Sequence, residues 1–288
     1  MKVGFFCSGR QRCLEFGAAF AQGVAMHGHT CEIRPVLKAH GDPYTVRDGA
    51  IMPDVDVAVI YAVLHRVAFR TMQAAKIPIV YIDKAYNRDW NYRRVSLYRH
   101  QPSLYLGGMT CPDDRRKMFG WEPKPWREKG EHVLLAWSDK RDHDWRGWPS
   151  PEKHVVPVIE ELRKHTKRPL LFRCKPNYNV GMVLSPHAIR ISTGTLEEDL
   201  ANCHALVTPG TSVSLTALLE GIPAIILDDA VTRNISDSCL CSIEYPYKAE
   251  EAERIALLNH LAYHQWHVDE YVNGDAWAWL NQMTRGFE

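Results

Sequence analysis

Short apolar runs alternate with stretches of helical period along most of the chain. The runs predict strands at residues 2–6, 30–36, 56–63, 77–83, 132–137, 169–176 and 204–208. The periodic stretches predict helices at residues 12–27, 65–75, 152–165, 196–202, 249–263 and 275–284. Buried parallel strands give continuous apolar runs and are joined by amphipathic helices, so this order predicts an α/β fold. Because the rhythm occurs twice, we expect two Rossmann-like domains that face a cleft.

The rhythm breaks over residues 84–130, where prolines, glycines, aromatic residues and basic residues follow one another without a clear period. We therefore place a first domain at residues 1–128, with residues 84–128 as an excursion from it. A second domain follows at residues 129–262. Helices in residues 263–288 are expected to cross back to the first domain and to pack across both domains. The tetrapeptide HQWH, residues 264–267, falls in this helical region.

The composition is that of a globular protein, since 45% of the 288 residues are hydrophobic and 24% are charged. No run approaches the roughly 18 apolar residues of a bilayer-spanning helix, so no membrane segment is expected. The first residues, MKVGFFCSGR, lead into a strand pattern without the architecture of a signal peptide. The eight cysteines form no C-x-x-C pair. This argues against a zinc site or a disulfide framework and favours reduced thiols in the cytoplasm.

Charge is unevenly distributed, although the formal net charge of the chain is only +1. Residues 84–130 carry 11 Lys and Arg against 5 Asp and Glu, whereas residues 191–288 carry a net charge of −11. The basic segment also holds eight aromatic residues: Tyr86, Trp90, Tyr92, Tyr98, Tyr105, Phe119, Trp121 and Trp126. Cations neutralise phosphates and aromatic faces stack on bases, so the segment is a candidate nucleic-acid surface. The alternatives are that its aromatic residues pack locally and that the basic and acidic regions complement each other.

The stretch CHALVTPGTSVSLTALLEGIPAIILDD, residues 203–229, predicts a buried strand, a turn of small hydroxyl residues, a short apolar helix and a second strand. In open α/β sheets ligands lie beyond the carboxyl ends of the strands, and a phosphate commonly binds where the next helix starts. Gly210 lets the backbone approach such a ligand, while Thr211, Ser212 and Ser214 offer hydroxyl groups. The alternative is that Thr211 or Ser212 only caps the helix.

Three neighbouring loops carry related chemistry. Arg173 and Lys175 lie two residues apart on one predicted strand, so they project from the same face and suit a diphosphate. Ser138 and Lys140 follow the first strand of the second domain. Asp228 ends the strand after the short helix, where a carboxylate could accept hydrogen bonds from sugar hydroxyls. Chance capping explains one such loop better than it explains four at one sheet edge.

With the Arg-x-Lys-Pro strand before it, the segment CHALVTPGTSVSLTALLEGIPAIIL resembles the nucleotide-sugar-binding domain of GT-B glycosyltransferases. It is most similar to capsule polysaccharide transferases and to DNA-modifying, glycosyltransferase-like proteins of bacteriophages, which residues 81–103 and 264–280 also resemble. The resemblance implies a GT-B fold, no bound cofactor, and a nucleotide-diphosphate sugar, UDP-sugar above all, as co-substrate. It implies donor-phosphate contacts at these residues: Arg173, Lys175, Thr208, Thr211, Ser212 and Ser214.

The resemblance also implies a metal-independent transfer, because GT-B enzymes use positioned cations where other enzymes use a metal. None of the 14 histidines shows the spacing of a ligand set. The chain departs from the family at Cys174-Lys175-Pro176, where many relatives have Pro-His-Pro. The acidic residue of retaining enzymes is not clearly placed either, so retention and inversion both stay open.

With the donor on the second domain, we expect the acceptor on the first, across the cleft. The phage resemblance implies a 5-hydroxymethylpyrimidine in double-stranded DNA, held out of the base stack, in the host cytoplasm. Candidate acceptor contacts are Ser8, Arg10, Tyr86, Arg88, Arg93, Arg94 and Arg99. The first candidate for the general base of an inverting transfer is Asp83, with Asp89 and His100 behind it. The alternative is that Asp83 caps a turn.

Four functions remain open from the residues. The first is a glycosyltransferase acting on modified DNA, and the second is one acting on a capsule or other glycan. The third is a nucleotide-sugar epimerase of the same fold, which needs the donor site but not the basic segment. The fourth is a non-catalytic module that binds nucleic acid through residues 84–130. Fold analogy alone does not separate them.

Overall fold

The computed structural model of the chain describes residues 1–36, 38–39, 42–46, 53–61, 66–97, 110–175 and 189–285. The chain forms two compact units, one made of Met1–Pro102 with Tyr263–Glu288 and the other of Ser103–Ala262. The C-terminal helices thus return to the first unit, as the sequence predicts. Residues 110–128 fall in the second unit, whereas the sequence places them in the first domain.

Within the described residues the order of elements is that of an α/β protein. The strands are β1 Lys2–Cys7, β2 Thr30–Pro35, β3 Lys38–Ala39, β4 Asp42–Val46, β5 Val57–Tyr61, β6 Ile79–Lys84, β7 Tyr92–Leu97, β8 His132–Ala136, β9 Leu170–Arg173, β10 Arg190–Ile191, β11 Cys203–Thr208, β12 Ala224–Ile226 and β13 Gln265–His267. The helices are α1 Gln11–Met26, α2 Arg66–Ala74, α3 Asp114–Met118, α4 Lys140–Arg146, α5 Pro151–His165, α6 Leu196–Ala201, α7 Val213–Leu219, α8 Glu251–Tyr263, α9 Val268–Val272 and α10 Asp275–Arg285.

The main sheet of the first unit has the strand order β13-β7-β6-β5-β1-β2. Its strands β2, β1, β5 and β6 run parallel, while β7 and β13 are antiparallel to their neighbours. After β1 the chain adds β2 on one side and β5 on the other. The carboxyl ends of β1 and β5 therefore form a topological switch point, the place where open α/β sheets bind ligands.

Helix α1 packs against the C-terminal helices of the same unit. A Cβ atom at Gly23 would lie 1.9 Å from the carbonyl oxygen of Tyr271, so the backbones of α1 and α9 touch there. Phe20 meets the fully buried Trp277 of α10 edge to face, with 5.7 Å between ring centroids. Gly28 follows α1 with a φ of +72°, the left-handed conformation in which a glycine commonly ends a helix.

The polar segments are more regular than the sequence predicts. HQWH was expected in a helix, but its residues Gln265–His267 form the strand β13, which pairs with β7 in antiparallel register, Gln265 facing Arg94 and His267 facing Tyr92. Residues 84–130 show no clear period in sequence, yet they contain β7 and α3. The strands β7 and β13 pair although more than 150 residues separate them in sequence.

The sheet of the second unit has the strand order β10-β9-β8-β11-β12, and all its strands are parallel. Along β8, Val133 and Leu135 pack into one buried cluster while Leu134 and Ala136 pack into the cluster on the other face. Burial on both faces explains why this strand reads as a continuous apolar run. From β8 the chain adds β9 and β10 on one side, and then β11 and β12 on the other. The second switch point therefore lies between the carboxyl ends of β8 and β11.

The cysteine expectation needs one correction. Cys239 and Cys241 form a disulfide, with their Cα atoms 5.2 Å apart, whereas all eight cysteines were expected to be reduced. The two residues flank the start of the 3₁₀ turn Leu240–Ser242, which brings them within the usual range for a disulfide. A spacing of one residue carries no such signal in the sequence. The remaining six cysteines are free thiols.

Candidate functional site

Two polar loops flank the switch point of the second sheet. Ser138 follows β8, and the turn Thr208–Ser212 follows β11. Ser138 is 7% exposed, and its hydroxyl has no hydrogen-bond partner among the described residues. An unpartnered buried hydroxyl costs roughly 1–3 kcal/mol, and such groups are usually completed by water or a ligand. The hydroxyl of Ser138 is therefore a buried polar group at the switch point that the described residues leave without a hydrogen bond.

The turn is organised by the buried Thr208. Its Oγ1 accepts hydrogen bonds from the backbone N–H groups of Gly210 and Thr211, both at 3.2 Å. Ser214 donates its hydroxyl to the carbonyl oxygen of Thr211 at 3.0 Å. Ser212 precedes α7 and is exposed, and its side chain makes no capping hydrogen bond. Thr208 and Ser214 thus hold the turn in shape, while Ser212 faces solvent.

Gly210 lies close to two other parts of the unit, the loop after β12 and the end of helix α4. A Cβ atom there would lie 2.3 Å from the carbonyl oxygen of Asp229 and 3.5 Å from Nη1 of Arg146. Only glycine allows this approach to the backbone of Asp229, whereas the close approach to a ligand expected at Gly210 stays a prediction. The loop after β12, which also holds the exposed Asp228, therefore lies against the turn.

The cations predicted for the diphosphate have different surroundings. Arg173 donates from Nη1 to Oδ2 of Asp199 at 2.5 Å, and that aspartate has only 7% of its side chain exposed. Lys175 pairs with Asp139 at 3.1 Å and Lys140 with Asp144 at 2.7 Å, and both lysine side chains are more than half exposed. Asp199 lies on the β10 side of β9 and Asp139 on the β8 side. Arg173 and Lys175 therefore point to opposite neighbours of β9 and do not converge.

A cluster of rings beside Ser138 was missed by the sequence analysis. The rings of His143, Trp148 and His154 contact one another with centroids 5.2–5.3 Å apart, and Trp137 lies 5.9 Å from His154. Four polar atoms here are buried and lack a partner within the described part of the chain: Trp137 Nε1, His143 Nε2, Ser150 Oγ and His154 Nδ1.

The two histidines of this cluster are held neutral. Burial lowers the pKa of His143, and burial together with His143 lowers the pKa of His154. Nδ1 of His143 lies 2.6 Å from the carbonyl oxygen of Pro149. A carbonyl only accepts, so the neutral ring carries its proton on Nδ1 and leaves Nε2 as an acceptor.

In the first unit, the predicted base Asp83 is part of a buried ion pair. Arg94 donates from Nη2 to Oδ2 of Asp83 at 3.3 Å and from Nη1 to the hydroxyl of Tyr86 at 3.2 Å. The side chains of Arg94 and Asp83 are 5% and 26% exposed. Burial lowers the pKa of Arg94, but Tyr86 and Asp83 outweigh it and raise that pKa above its ordinary value. Arg94 is therefore a charged partner inside the unit.

Arg93 is also engaged within the first unit. Its Nε donates to the hydroxyl of Tyr61 at 3.0 Å, and its Nη1 donates to the carbonyl oxygen of Tyr92 at 2.8 Å. The guanidinium carbon lies 5.5 Å from the ring centroid of Phe16. The guanidinium of Arg93 thus has hydrogen-bond and ring partners within the first unit.

The other residues predicted for the acceptor lie in loops. Ser8 donates its hydroxyl to the sulfur of Cys13 at 3.2 Å. Arg10 precedes α1 and is exposed, and Arg88 has a φ of +62°. Asp89 accepts a hydrogen bond at 2.8 Å from the backbone N–H two residues later, which is a turn-stabilising role. Two predicted residues lie outside the described part of the chain: Arg99 and His100.

A shallow pocket of about 340 Å³ lies elsewhere in the second unit, beside the edge strand β10. Ser192, Gly194 and Asp199 line it, and all three accept hydrogen bonds from Arg173. The pocket follows α6 and the edge of the sheet, away from the switch point. Ser192, Gly194 and Asp199 have their partner in Arg173, whereas polar atoms beside Ser138 have none among the described residues, so we place the candidate site at the switch point.

Two general features were also sought in the described residues. No group of three or more His, Cys, Asp or Glu side chains there is arranged to hold a metal ion. No helix in the same residues combines the length and apolar character needed to cross a bilayer.

The fold is similar to that of a known transferase, KpsC. KpsC of Thermosulfurimonas dismutans, a beta Kdo 2,7 transferase, aligns with a TM-score of 0.52 at 8% identity, over 96% of this chain and 99% of that one. The calicheamicin glycosyltransferase CalG4 aligns with a TM-score of 0.31 at 11% identity, over 99% and 97% of the two chains. SnogD of Streptomyces nogalater aligns with a TM-score of 0.29 at 13% identity, over 98% and 99%.

No family model and no curated protein sequence matches the chain. At 8% identity, the likeness to KpsC shows a shared fold, and the chain therefore has the GT-B fold that its sequence predicts. The narrower resemblance to phage DNA-modifying proteins has no counterpart among these structures.

Proposed function

We propose that this chain is a glycosyltransferase that binds a nucleotide sugar at the switch point between β8 and β11. The observation that carries the proposal is the juxtaposition of the turn Thr208–Ser212 with the buried, unpartnered hydroxyl of Ser138 at the carboxyl ends of adjacent parallel strands. Open α/β sheets bind their ligands at such a point. The GT-B fold shared with KpsC, a beta Kdo 2,7 transferase, gives the expected ligand class.

The donor phosphates are assigned to the turn and to the exposed lysines near it. The ion pairs of Lys140 and Lys175 are exposed and contribute little, about 0–1 kcal/mol each, so a phosphate can replace their carboxylates at low cost. Arg173 is held by a buried aspartate and is the weaker candidate. Thr211 and Ser212 offer hydroxyls to the phosphate, and Asp228 offers a carboxylate to a sugar hydroxyl.

In the transfer, the bond between the anomeric carbon and the donor phosphate oxygen breaks, and the phosphate takes the electron pair. The acceptor oxygen forms the new bond to that carbon, and its proton passes to a base. Cations and hydroxyl donors at the leaving phosphate stabilise the charge that develops there, so the proposed reaction needs no metal. Asp83, whose carboxylate pairs with Arg94, stays our candidate for this base.

For the acceptor we favour a glycan hydroxyl. Two of the five arginines predicted to contact DNA, Arg93 and Arg94, are engaged inside the first unit. KpsC is named as a transferase of the sugar Kdo, which is consistent with a glycan product. The alternative acceptor is a 5-hydroxymethylpyrimidine in DNA, and the experiment below compares it with glycan acceptors.

The test begins with a thermal-shift panel of nucleoside mono- and diphosphates, including UDP, dTDP and CMP. We expect at least one to stabilise the protein, by about 2.7 kcal/mol at 100 times its dissociation constant. If none does, the proposal is wrong. Labelled sugar nucleotides are then incubated with glycan acceptors, with hydroxymethylated DNA and with plain DNA. Label in the glycan supports our assignment, label in modified DNA alone replaces it, and a changed sugar without transfer indicates an epimerase.

A further inference from the structure

Arg146, the last residue of α4, lies between the turn and the ring cluster beside Ser138. Its Nη2 is 3.4 Å from the carbonyl oxygen of Gly210, and its Nη1 lies 3.5 Å from the position of a Cβ atom at the same glycine. The guanidinium therefore lies along the backbone of the turn Thr208–Ser212. Nothing in the sequence pattern singled this arginine out.

The guanidinium is fixed from its other sides. Nε of Arg146 donates to Oδ2 of Asp142 at 3.2 Å, one helical turn earlier, and the two side chains are only 7% and 12% exposed. The guanidinium carbon lies 4.5 Å from the ring centroid of Trp148. An arginine stacked on an aromatic ring and paired with a carboxylate has lost most of its rotamer freedom before any ligand arrives.

The ring that supports the arginine is itself held in place. Gly147 ends α4 in the left-handed conformation, with a φ of +76°, and so turns the chain back over the helix. The backbone N–H of Trp148 then donates to the carbonyl oxygen of His143 at 2.9 Å. His143 and His154 pack edge to face against the indole, with centroids 5.3 and 5.2 Å away. The ring cluster thus holds Trp148 in place, and Trp148 in turn supports the guanidinium of Arg146.

Arg146 differs from the lysines near the turn in what it can do. Lys140 and Lys175 are exposed and mobile cations, with 58% and 53% of their side chains exposed. Arg146 is a nearly buried, pre-oriented fork that contacts the backbone of the turn itself. A planar guanidinium presents donors in a fixed geometry, which a lysine ammonium does not reproduce.

We propose that Arg146 is the positioning residue of the donor site. It fixes the turn Thr208–Ser212 through Gly210, and so sets the place at which the turn meets the donor phosphate. The inference rests on the proposed function, because it gives a role to a residue of the same site. In this proposal, the recognition of the donor phosphate depends on the contact between α4 and the turn Thr208–Ser212.

The test compares Arg146→Lys with Arg141→Lys, a matched change at an exposed arginine of the same helix. Affinities for UDP, dTDP and CMP are measured by calorimetry, and those for the corresponding nucleosides by competition. For the nucleotide that binds, we expect Arg146→Lys to weaken affinity about tenfold, or about 1.4 kcal/mol, and to leave the nucleoside unchanged. Arg141→Lys is expected to leave both affinities unchanged.

The possible outcomes separate the two proposals. If the unsubstituted protein binds none of the three nucleotides, the proposed function and this inference both fail. If it binds a nucleotide and Arg146→Lys binds it equally well, only the inference is overturned. Equal weakening of nucleotide and nucleoside binding means a general structural role and also overturns it. If Arg146→Lys does not fold, Asp142→Asn is used, because it releases the guanidinium from its ion pair and carries the same expectation.

Discussion

The two units contain the same kind of sheet edge, and they differ in how its polar groups are satisfied. At the first switch point, the hydroxyl of Ser8 after β1 donates to Cys13. At the second, the hydroxyl of Ser138 after β8 has no partner among the described residues, and Trp137, His143 and Ser150 nearby leave further atoms unpartnered. Buried polar atoms without partners are rare in proteins. The second edge is therefore the one that a ligand would complete.

The charged residues show the same contrast. In the first unit, Asp83 and Arg94 pair with each other under partial or full burial. In the second, Lys140 and Lys175 make exposed pairs that a phosphate can replace. A basic segment of the sequence thus does not always form a basic surface, because the fold can pair its cations with carboxylates inside a unit, as it does for Arg94.

The largest effect is expected where the first unit depends on its C-terminal helices. Gly23→Ala places a Cβ atom 1.9 Å from the carbonyl oxygen of Tyr271, and neither backbone can move freely. We expect the free energy of unfolding to fall by about 3 kcal/mol or more, measured by urea denaturation. Gly17→Ala on the same helix meets only side-chain atoms, the ring of Phe5 at 3.0 Å and Cδ1 of Ile33 at 3.4 Å, and is the control with a smaller loss. Equal effects would mean that α1 and α9 do not touch.

The next largest effect is expected at Arg94, and it tests whether this arginine stabilises the fold or binds phosphate. Arg94→Leu leaves Asp83 without its cation, and we expect a loss of about 2–3 kcal/mol in the free energy of unfolding. The value is below that of a fully buried pair because Asp83 is 26% exposed. Arg10→Leu, at an exposed position, is expected to change stability by less than about 0.5 kcal/mol. An unchanged stability for Arg94→Leu, with a reduced salt dependence of DNA binding, would support the DNA surface instead.

A smaller effect is expected at the turn of the second unit. Gly210→Ala forces a Cβ atom to 2.3 Å from the carbonyl oxygen of Asp229, so the turn must shift. We expect nucleotide affinity, measured by calorimetry, to fall about tenfold, or about 1.4 kcal/mol. Gly194→Ala is the control, since its Cβ meets only the movable carboxylate of Glu198 at 2.5 Å. Full nucleotide affinity in Gly210→Ala would remove the turn from the site.

The smallest effect is expected at the hydroxyl of Ser138. Its removal should raise the stability of the unliganded protein and lower the affinity for nucleotide. Ser138→Ala removes a buried group that has no partner, so we expect the unliganded protein to gain up to about 1 kcal/mol in stability. The same change should weaken nucleotide binding severalfold, because the ligand loses a hydrogen bond. Thermal unfolding with and without nucleotide measures both. Ser8→Ala in the first unit is the control, and a similar loss of affinity there would break the contrast between the two edges.

Most of the parallel strands were predicted, and the antiparallel ones were not. Runs such as HVLLA in β8 are buried on both faces, so the sequence alone indicates a strand. The two-residue parallel strand β10 at the sheet edge was missed. β7 contains two arginines, and β13 lies within a predicted helical region, so both depend on partner strands in the folded chain. The hydrophobic pattern indicates which residues are buried, but it does not show which strands pair.

The candidate site was predicted in part. The turn follows from its position after a buried strand, and Gly210 from the need for close backbone approach. The expected convergence of Arg173 and Lys175 is wrong, because their carboxylate partners lie on opposite sides of β9. Arg146 and the ring cluster around His143 were missed. They are assembled by the reversal at Gly147, which no residue spacing encodes.

The central claim is that the nucleotide binds at the edge of the second sheet, and hydrogen exchange with and without a bound nucleoside phosphate tests it most directly. We expect slower amide exchange in peptides covering residues 137–150 and 208–214, and no change in those covering residues 8–14 and 92–97. Protection in the first-unit peptides, with none at the turn, would contradict the claim.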